Sequence, residues 1–245
     1  MCTNWRLELR GKRYKGISDL IEKDKLYEAK EAISLAKRTA SAGFDETVEL
    51  HLRTGVDPRQ ADQQIRGVTV LPGGTGKTVR IVVFAQGEAA KIAEDAGAEF
   101  VGSDELISKI QGGWTEFDIA IATPDMMSSV GKLGRVLGRK GLMPNPKSGT
   151  VVNQDRISSA ISEAKKGRVE YRLDRLGIVH VAIGKASFKE DNLLENFVAV
   201  VESIARAKPN GLKGDYVKSI YLTTTMGPGI PLEVTSTMAM TADSI

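Results

Sequence analysis

The chain has 245 residues, a formal net charge of +3, 41% hydrophobic and 5% aromatic residues, and a single cysteine, Cys2. That composition fits one or two domains with aliphatic cores, and it excludes an internal disulfide framework or a cysteine-built metal site. No apolar run approaches the ~18–20 residues that span a membrane, and the first sixteen lack the apolar block of a signal peptide, so a reducing compartment is expected.

Along the chain, Glu28–Phe44 is predicted as an amphipathic helix stopped by Gly43. Asp45–Arg53 then alternates: Val48, Leu50 and Leu52 face one way, and Thr47, Glu49, His51 and Arg53 the other. A polar segment, Asp57–Arg66, leads to a short strand at Val68–Leu71. The Pro-Gly-Gly turn at 72–74 marks the first expected domain boundary.

The middle of the chain reads differently. Val79–Ala85 is a nearly continuous apolar run, as a strand buried on both faces requires. Helix at Glu88–Ala96, strand at Glu99–Val101, helix at Asp104–Ile110, strand at Phe117–Ala122 and helix at Asp125–Leu137 follow. Such alternation predicts a parallel sheet covered by helices.

Arg156–Lys166 carries Ile157, Ala160, Ile161 and Ala164 at helical spacing and stops at Gly167. Beyond it, Arg168–Leu173 and Ile178–Ile183 are predicted as a hairpin around Asp174–Gly177. A helix at Asp191–Ala207 presents Leu193, Leu194, Phe197, Val201, Ile204 and Ala205 on one stripe, and Tyr216–Thr225 is the last strand expected. These late strands need partners, and those at 45–53 and 68–71 are available. The expected fold class is therefore α/β. An α+β discontinuous domain with a split β-α-β sheet, residues 1–73 and 167–245, carries an inserted Rossmann-like, three-layer α/β domain at 74–166. Hinges are expected near Gly73–Gly76 and Lys166–Gly167.

Gly131–Val151 is unlike a core element. It packs five glycines, two prolines and five cations (Lys132, Arg135, Arg139, Lys140 and Lys147) into 21 residues, with no acid between Asp125 and Asp155. Glycines permit close backbone approach, and uncompensated cations favour phosphate, so RNA is the natural partner. By contrast, Pro72–Thr78 (PGGTGKT) fails as a phosphate loop: Leu71 stands where the first glycine belongs, and a strand follows where a helix is needed. A dinucleotide fingerprint fails too, with Val136 in place of its second glycine. His180 reads as structural, His51 as a possible RNA contact on the polar face of its strand. No catalytic set, metal-ligand spacing or cofactor site appears. In the last strand Ser219, Tyr221, Thr223 and Thr225 share one face, and hydroxyl-lined faces suit 2′-OH contacts.

Six segments in order resemble the large-subunit ribosomal protein L-one family, the stalk proteins beside the tRNA exit site. They are GKRYKG at 11–16, FDETVELHLRTGVDPRQADQQIRG at 44–67, FDIAIATPDMM at 117–127, LGRVLGRKGLMPNPKSGTV at 133–151, GIVHVAIGKASF at 177–188 and SIYLTTTMGP at 219–228. The resemblance implies two hinged domains and no catalysis or cofactor. It implies binding to the stalk of large-subunit rRNA through Phe44, Thr47, Glu49, Ser219, Thr225, Met226 and Gly227. The Lys132–Lys147 cations become a second RNA or tRNA surface. Exit-site tRNA and the protein's own mRNA, as a repressor target, are further implied partners of a monomer with no membrane contact. The implied setting is the ribosome, in the cytoplasm or in the plastid stroma. Gly138-Arg139-Lys140 departs from the family's usual Gly-Pro-Arg, and residues 1–10 and 235–245 are unmatched. The tail is expected to be disordered.

Overall fold

A computed structural model describes residues 11–22, 25–209, 212 and 214–240. The chain divides into two compact units. One runs up to Gly76 and resumes at Val169; the other is Lys77–Arg168. These junctions fall within three residues of the Pro-Gly-Gly turn and of Gly167.

The first unit is built on a four-stranded antiparallel sheet. Strand β1 (Thr47–Thr54) lies between β7 (Ile178–Lys185) and β8 (Val217–Thr224), and β9 (Ile230–Leu232) adds to the outer edge of β8. Since β7 and β8 both run antiparallel to β1, they are parallel to each other. Helix α8 (Glu190–Arg206) connects them, giving a split β-α-β unit. Its stripe of Leu193, Leu194, Phe197, Val201 and Ile204 packs on the inward side chains Val48, Leu50, Leu52, Val179, Val181, Ile183 and Leu222, together with helix α2 (Ala29–Thr39). Each such fully buried aliphatic or aromatic side chain contributes about 1.5–3 kcal/mol.

Several local expectations need correction. The predicted helix at 28–44 ends at Thr39, because Ala40 turns to extended backbone before the Ser-Ala-Gly run. Strand β6 (Arg168–Arg172) does not pair as a hairpin with β7; it forms a two-stranded sheet with β2 (Arg66–Val70), leaving one isolated bridge, Leu173 to Val179. Tyr216–Thr225 is not the last strand, and the tail is ordered as far as it is described. Ile230–Leu232 extends the sheet, Tyr27 exchanges backbone hydrogen bonds with Pro231 and Glu233, and helix α9 (Val234–Met238) packs Val234 and Met238 on the core. Residues 1–10 and 241–245 lie outside the described residues. Helix α1 (Lys12–Ser18) had no periodic signal in the sequence.

The second unit is a three-layer α/β fold. Parallel strands β3 (Ile81–Phe84), β4 (Phe100–Gly102) and β5 (Ile119–Ala122) take the order β4-β3-β5. In β3, Val82 and Phe84 point to a cluster with Leu106, Ile107 and Ile110, whereas Ile81 and Val83 point to one with Ala89, Ala93, Ile157 and Ile161. Both faces are covered, so alternation disappears and the strand reads as one apolar run. The predicted helix at 125–137 is helical but broken into consecutive pieces: a 3-10 turn at Pro124–Met126, α5 (Met127–Val130), a 3-10 turn at Gly131–Leu133 and α6 (Gly134–Lys140). Its glycines weaken helix propagation.

Candidate nucleic-acid interface

The outer face of the four-stranded sheet carries the polar side of each alternating strand. Register places Thr47 opposite Lys185, Glu49 between Ala182 and Thr223, His51 between His180 and Tyr221, and Arg53 between Ile178 and Ser219. Tyr221 also faces Pro231. An imidazole–imidazole–phenol row therefore crosses the sheet. His51 and His180 approach to 2.7 Å between their Nδ1 atoms, Glu49 Oε2 lies 3.7 Å from His51 Nε2, and Asp174 Oδ2 lies 3.6 Å from His180 Nε2.

At one end of this face two loops meet. Residues 40–46 arrive from α2, and 225–229 leave β8. Glu46, buried although charged, joins them: its carboxylate accepts the amides of Ala42 at 2.8 Å and Met226 at 2.9 Å. Burial opposes its charge, but the amides outweigh burial and hold the carboxyl below its ordinary value. Thr225 Oγ1 accepts the amide of Thr47 at 3.0 Å, and its own amide reaches the Thr47 carbonyl. Lys185 Nζ donates to Thr47 Oγ1 at 2.9 Å and to the Asp45 carbonyl. This frame leaves the apolar side chains of Phe44 and Met226 half in solvent. Gly227 is a steric requirement, since a Cβ there would sit 2.3 Å from Thr224 Oγ1.

The structure thus brings Phe44, Thr47, Thr225, Met226 and Gly227 to one end of the sheet, with Glu49 one row inward. Ser219 is not with them. It lies six residues back along β8, roughly 20 Å away, at the opposite end of the same face. Glu46 and Lys185, which build the frame, escaped the sequence reading. For Glu46 the signal was an acid within the alternating run 45–53, on the same side as Val48, Leu50 and Leu52.

Residues 35–228 match the ribosomal protein L1p/L10e family. The chain belongs to that family. It is similar to the large ribosomal subunit protein uL1 of Dehalococcoides mccartyi strain 195, with 58% identity over 231 residues covering 94% of this chain and 98% of the relative. The uL1 proteins of strains BAV1 and CBDB1 are each 59% identical over 230 residues, covering 94% of this chain and 97% of theirs. It is a family of structural ribosomal proteins, not of enzymes.

The other features agree with that class. Lys77–Arg80 runs into β3, so the glycine-rich segment before it does not open a helix as a phosphate loop would. Asn196 instead ties that segment down: its side chain accepts the Gly73 amide at 2.8 Å and donates to the carbonyls of Gly74 and Ile183. In the second unit Lys132, Arg135, Arg139, Lys140 and Lys147 are all exposed above buried Leu133 and Leu137. Lys140 donates to Thr115 Oγ1.

Proposed function

We propose that this chain is a non-catalytic protein of the large ribosomal subunit that binds the stalk region of large-subunit rRNA through the Glu46-anchored end of its sheet. Phe44 and Met226 offer exposed apolar surfaces for a base or ribose. Thr47, Glu49 and Thr225 offer hydroxyl and carboxylate partners for ribose hydroxyls, and Gly227 lets backbone approach. Ser219 joins the interface from the far end of the strand. The exposed cations Lys132, Arg135, Arg139, Lys140 and Lys147 form a separate surface for exit-site tRNA or further RNA. A stalk-like element in the protein's own mRNA is the corresponding repressor site. The protein acts on the ribosome, in the cytoplasm or in a plastid, and is a monomer when free.

One observation carries this reading: half-exposed Phe44 and Met226 stand on two loops that a single buried carboxylate, Glu46, ties together by accepting the amides of Ala42 and Met226. A frame of that kind presents surface rather than burying it. Equilibrium binding to a stalk rRNA fragment, against unrelated RNA of equal length, tests it. Selective binding that persists at moderate salt is expected, with Thr225→Val weakening it by roughly 1–3 kcal/mol. Equal, salt-erased binding of both RNAs would refute it.

A further inference from the structure

We propose that the two-stranded β2-β6 sheet and the 174–177 turn, at the far end of β1, carry a second RNA contact, a concavity lined by Arg66, Arg172 and Arg175 that takes the phosphate backbone of the RNA. The inference rests on the rRNA-binding reading above and extends its footprint. The concavity measures about 520 Å³ and is also lined by Pro58, Gln64 and Asp174. It sits where β2, β6 and the 174–177 turn meet, at the end of β1 opposite Thr47. Over its length β1 spans ~23 Å.

Of the three arginines there, Arg66 is paired and two are uncompensated. Arg66 is fixed by Glu170, whose Oε1 takes its Nε and Nη2 at 2.6 Å each. Arg172 and Arg175 are exposed, and neither makes an ion pair among the described residues. Asp174 does not neutralise them. Its Oδ1 accepts the amides of Leu176 at 2.8 Å and Ile178 at 2.7 Å, and its Oδ2 faces His180. The turn that presents Arg175 is itself rigidly seated, because Thr54 donates both its amide and its hydroxyl to the Gly177 carbonyl at 2.8 Å. Gly177 has φ of 76°, and a Cβ there would come within 3.3 Å of the Val56 carbonyl. Guanidinium forks held over a concave surface match phosphate oxygens bidentately. Between the two ends of β1 the outer face of the four-stranded sheet carries Arg53, Ser219 and the His180–His51–Tyr221 row. Ser219 then belongs to this arginine end, which explains its distance from Thr225.

The ends differ in chemistry, and salt separates them. Contacts to ribose hydroxyls release few counterions, whereas each phosphate neutralised adds about 0.7–0.9 to the slope of log K against log salt. The test uses the full chain and a stalk rRNA fragment across a potassium chloride series, with Arg172→Gln, Arg175→Gln and the double variant. Both side chains are exposed, and matching thermal midpoints establish that the variants fold. The double variant is expected to bind roughly 10-fold more weakly near physiological salt and to lose about 1.5 from the slope. Arg172→Lys, which keeps the charge, is expected to retain most of it. Lys91→Gln, an exposed cation of the second unit, should leave the slope unchanged. A wild-type slope in the double variant, or an equal loss in Lys91→Gln, would overturn the proposal while leaving selective rRNA binding intact. Failure of the wild type to prefer the stalk fragment would overturn both.

Discussion

The Glu46 carboxylate accepts the backbone amide of Met226 at 2.9 Å, joining positions 180 residues apart in sequence. Its other oxygen holds Ala42, two residues before Phe44. One buried acid therefore sets the positions of both exposed apolar side chains of the candidate interface.

Glu46→Gln keeps the shape but turns one accepting oxygen into an NH2 donor, so one of the two amides loses its acceptor and the other loses the charge that strengthens its bond. It is expected to destabilise the first unit by about 1–3 kcal/mol and to weaken stalk RNA binding. The Glu46 carboxyl titrates below its ordinary value of 4.5 in the folded chain, so its stabilisation is present above that pH and is lost as pH falls through the folded value. Urea unfolding of wild type and variant should differ at pH 7 and converge in acid. A gap that persists unchanged at low pH would mean the charge is not what holds the loops.

Gly227→Ala probes the same corner by sterics. The added methyl would meet Thr224 Oγ1 at 2.3 Å, and Thr224 is buried beside it, so the turn must shift. Overpacking of this kind costs about 1–3 kcal/mol. Moving Met226 should cost RNA affinity as well. Retained affinity together with retained thermal stability would show that the turn yields without consequence.

Asn196 makes a different prediction, since it lies in the core rather than at the interface. Its side chain satisfies the Gly73 amide and the carbonyls of Gly74 and Ile183 while fully buried. Asn196→Leu strands all three and should cost about 3 kcal/mol or more in urea unfolding, although leucine continues the apolar stripe. A near-neutral result would mean that water replaces the amide.

Much of this architecture was legible because the signals were local. Period-two alternation assigned the inward Val48, Leu50 and Leu52 and the outward Thr47, Glu49, His51 and Arg53, and all three inward residues are fully buried. The apolar runs of β3 and β5 announced a sheet covered on both faces. What escaped depends on pairing across the chain. Nothing in Arg168–Arg172 says that its partner is Arg66–Val70 rather than the adjacent Ile178–Lys185. Ile230–Leu232 is too short for periodicity to show, and it is ordered through β8 and Tyr27. At the candidate interface, alternation exposed the hydroxyl-bearing face. Phe44, Met226 and Gly227 lie on loops, where alternation has nothing to say. Glu46 shares the inward parity of Val48, Leu50 and Leu52, but its partners, the amides of Ala42 and Met226, lie outside the strand.

The histidine pair gives the last prediction. His51 is half buried, with its ring edge-on to His180 at a centroid distance of 4.9 Å, and the 2.7 Å contact between Nδ1 atoms requires one ring to donate and the other to accept. Burial first, and then the nearby His180, push the His51 pKa below its ordinary 6.5; Glu49 opposes them without prevailing. The folded chain thus favours neutral His51, whereas the unfolded chain takes up a proton near pH 6.5. Stability from this group is therefore present above pH 6.5 and is lost as pH falls toward the folded value. The wild type should lose urea resistance between pH 7.5 and 5.5 more steeply than His51→Gln, in which that proton uptake is absent. His180→Gln removes the neighbouring ring that lowers it, so the His51 resonance in an NMR titration should move to higher pH. A wild-type His51 that titrates at or above 6.5 would contradict the paired, neutral arrangement.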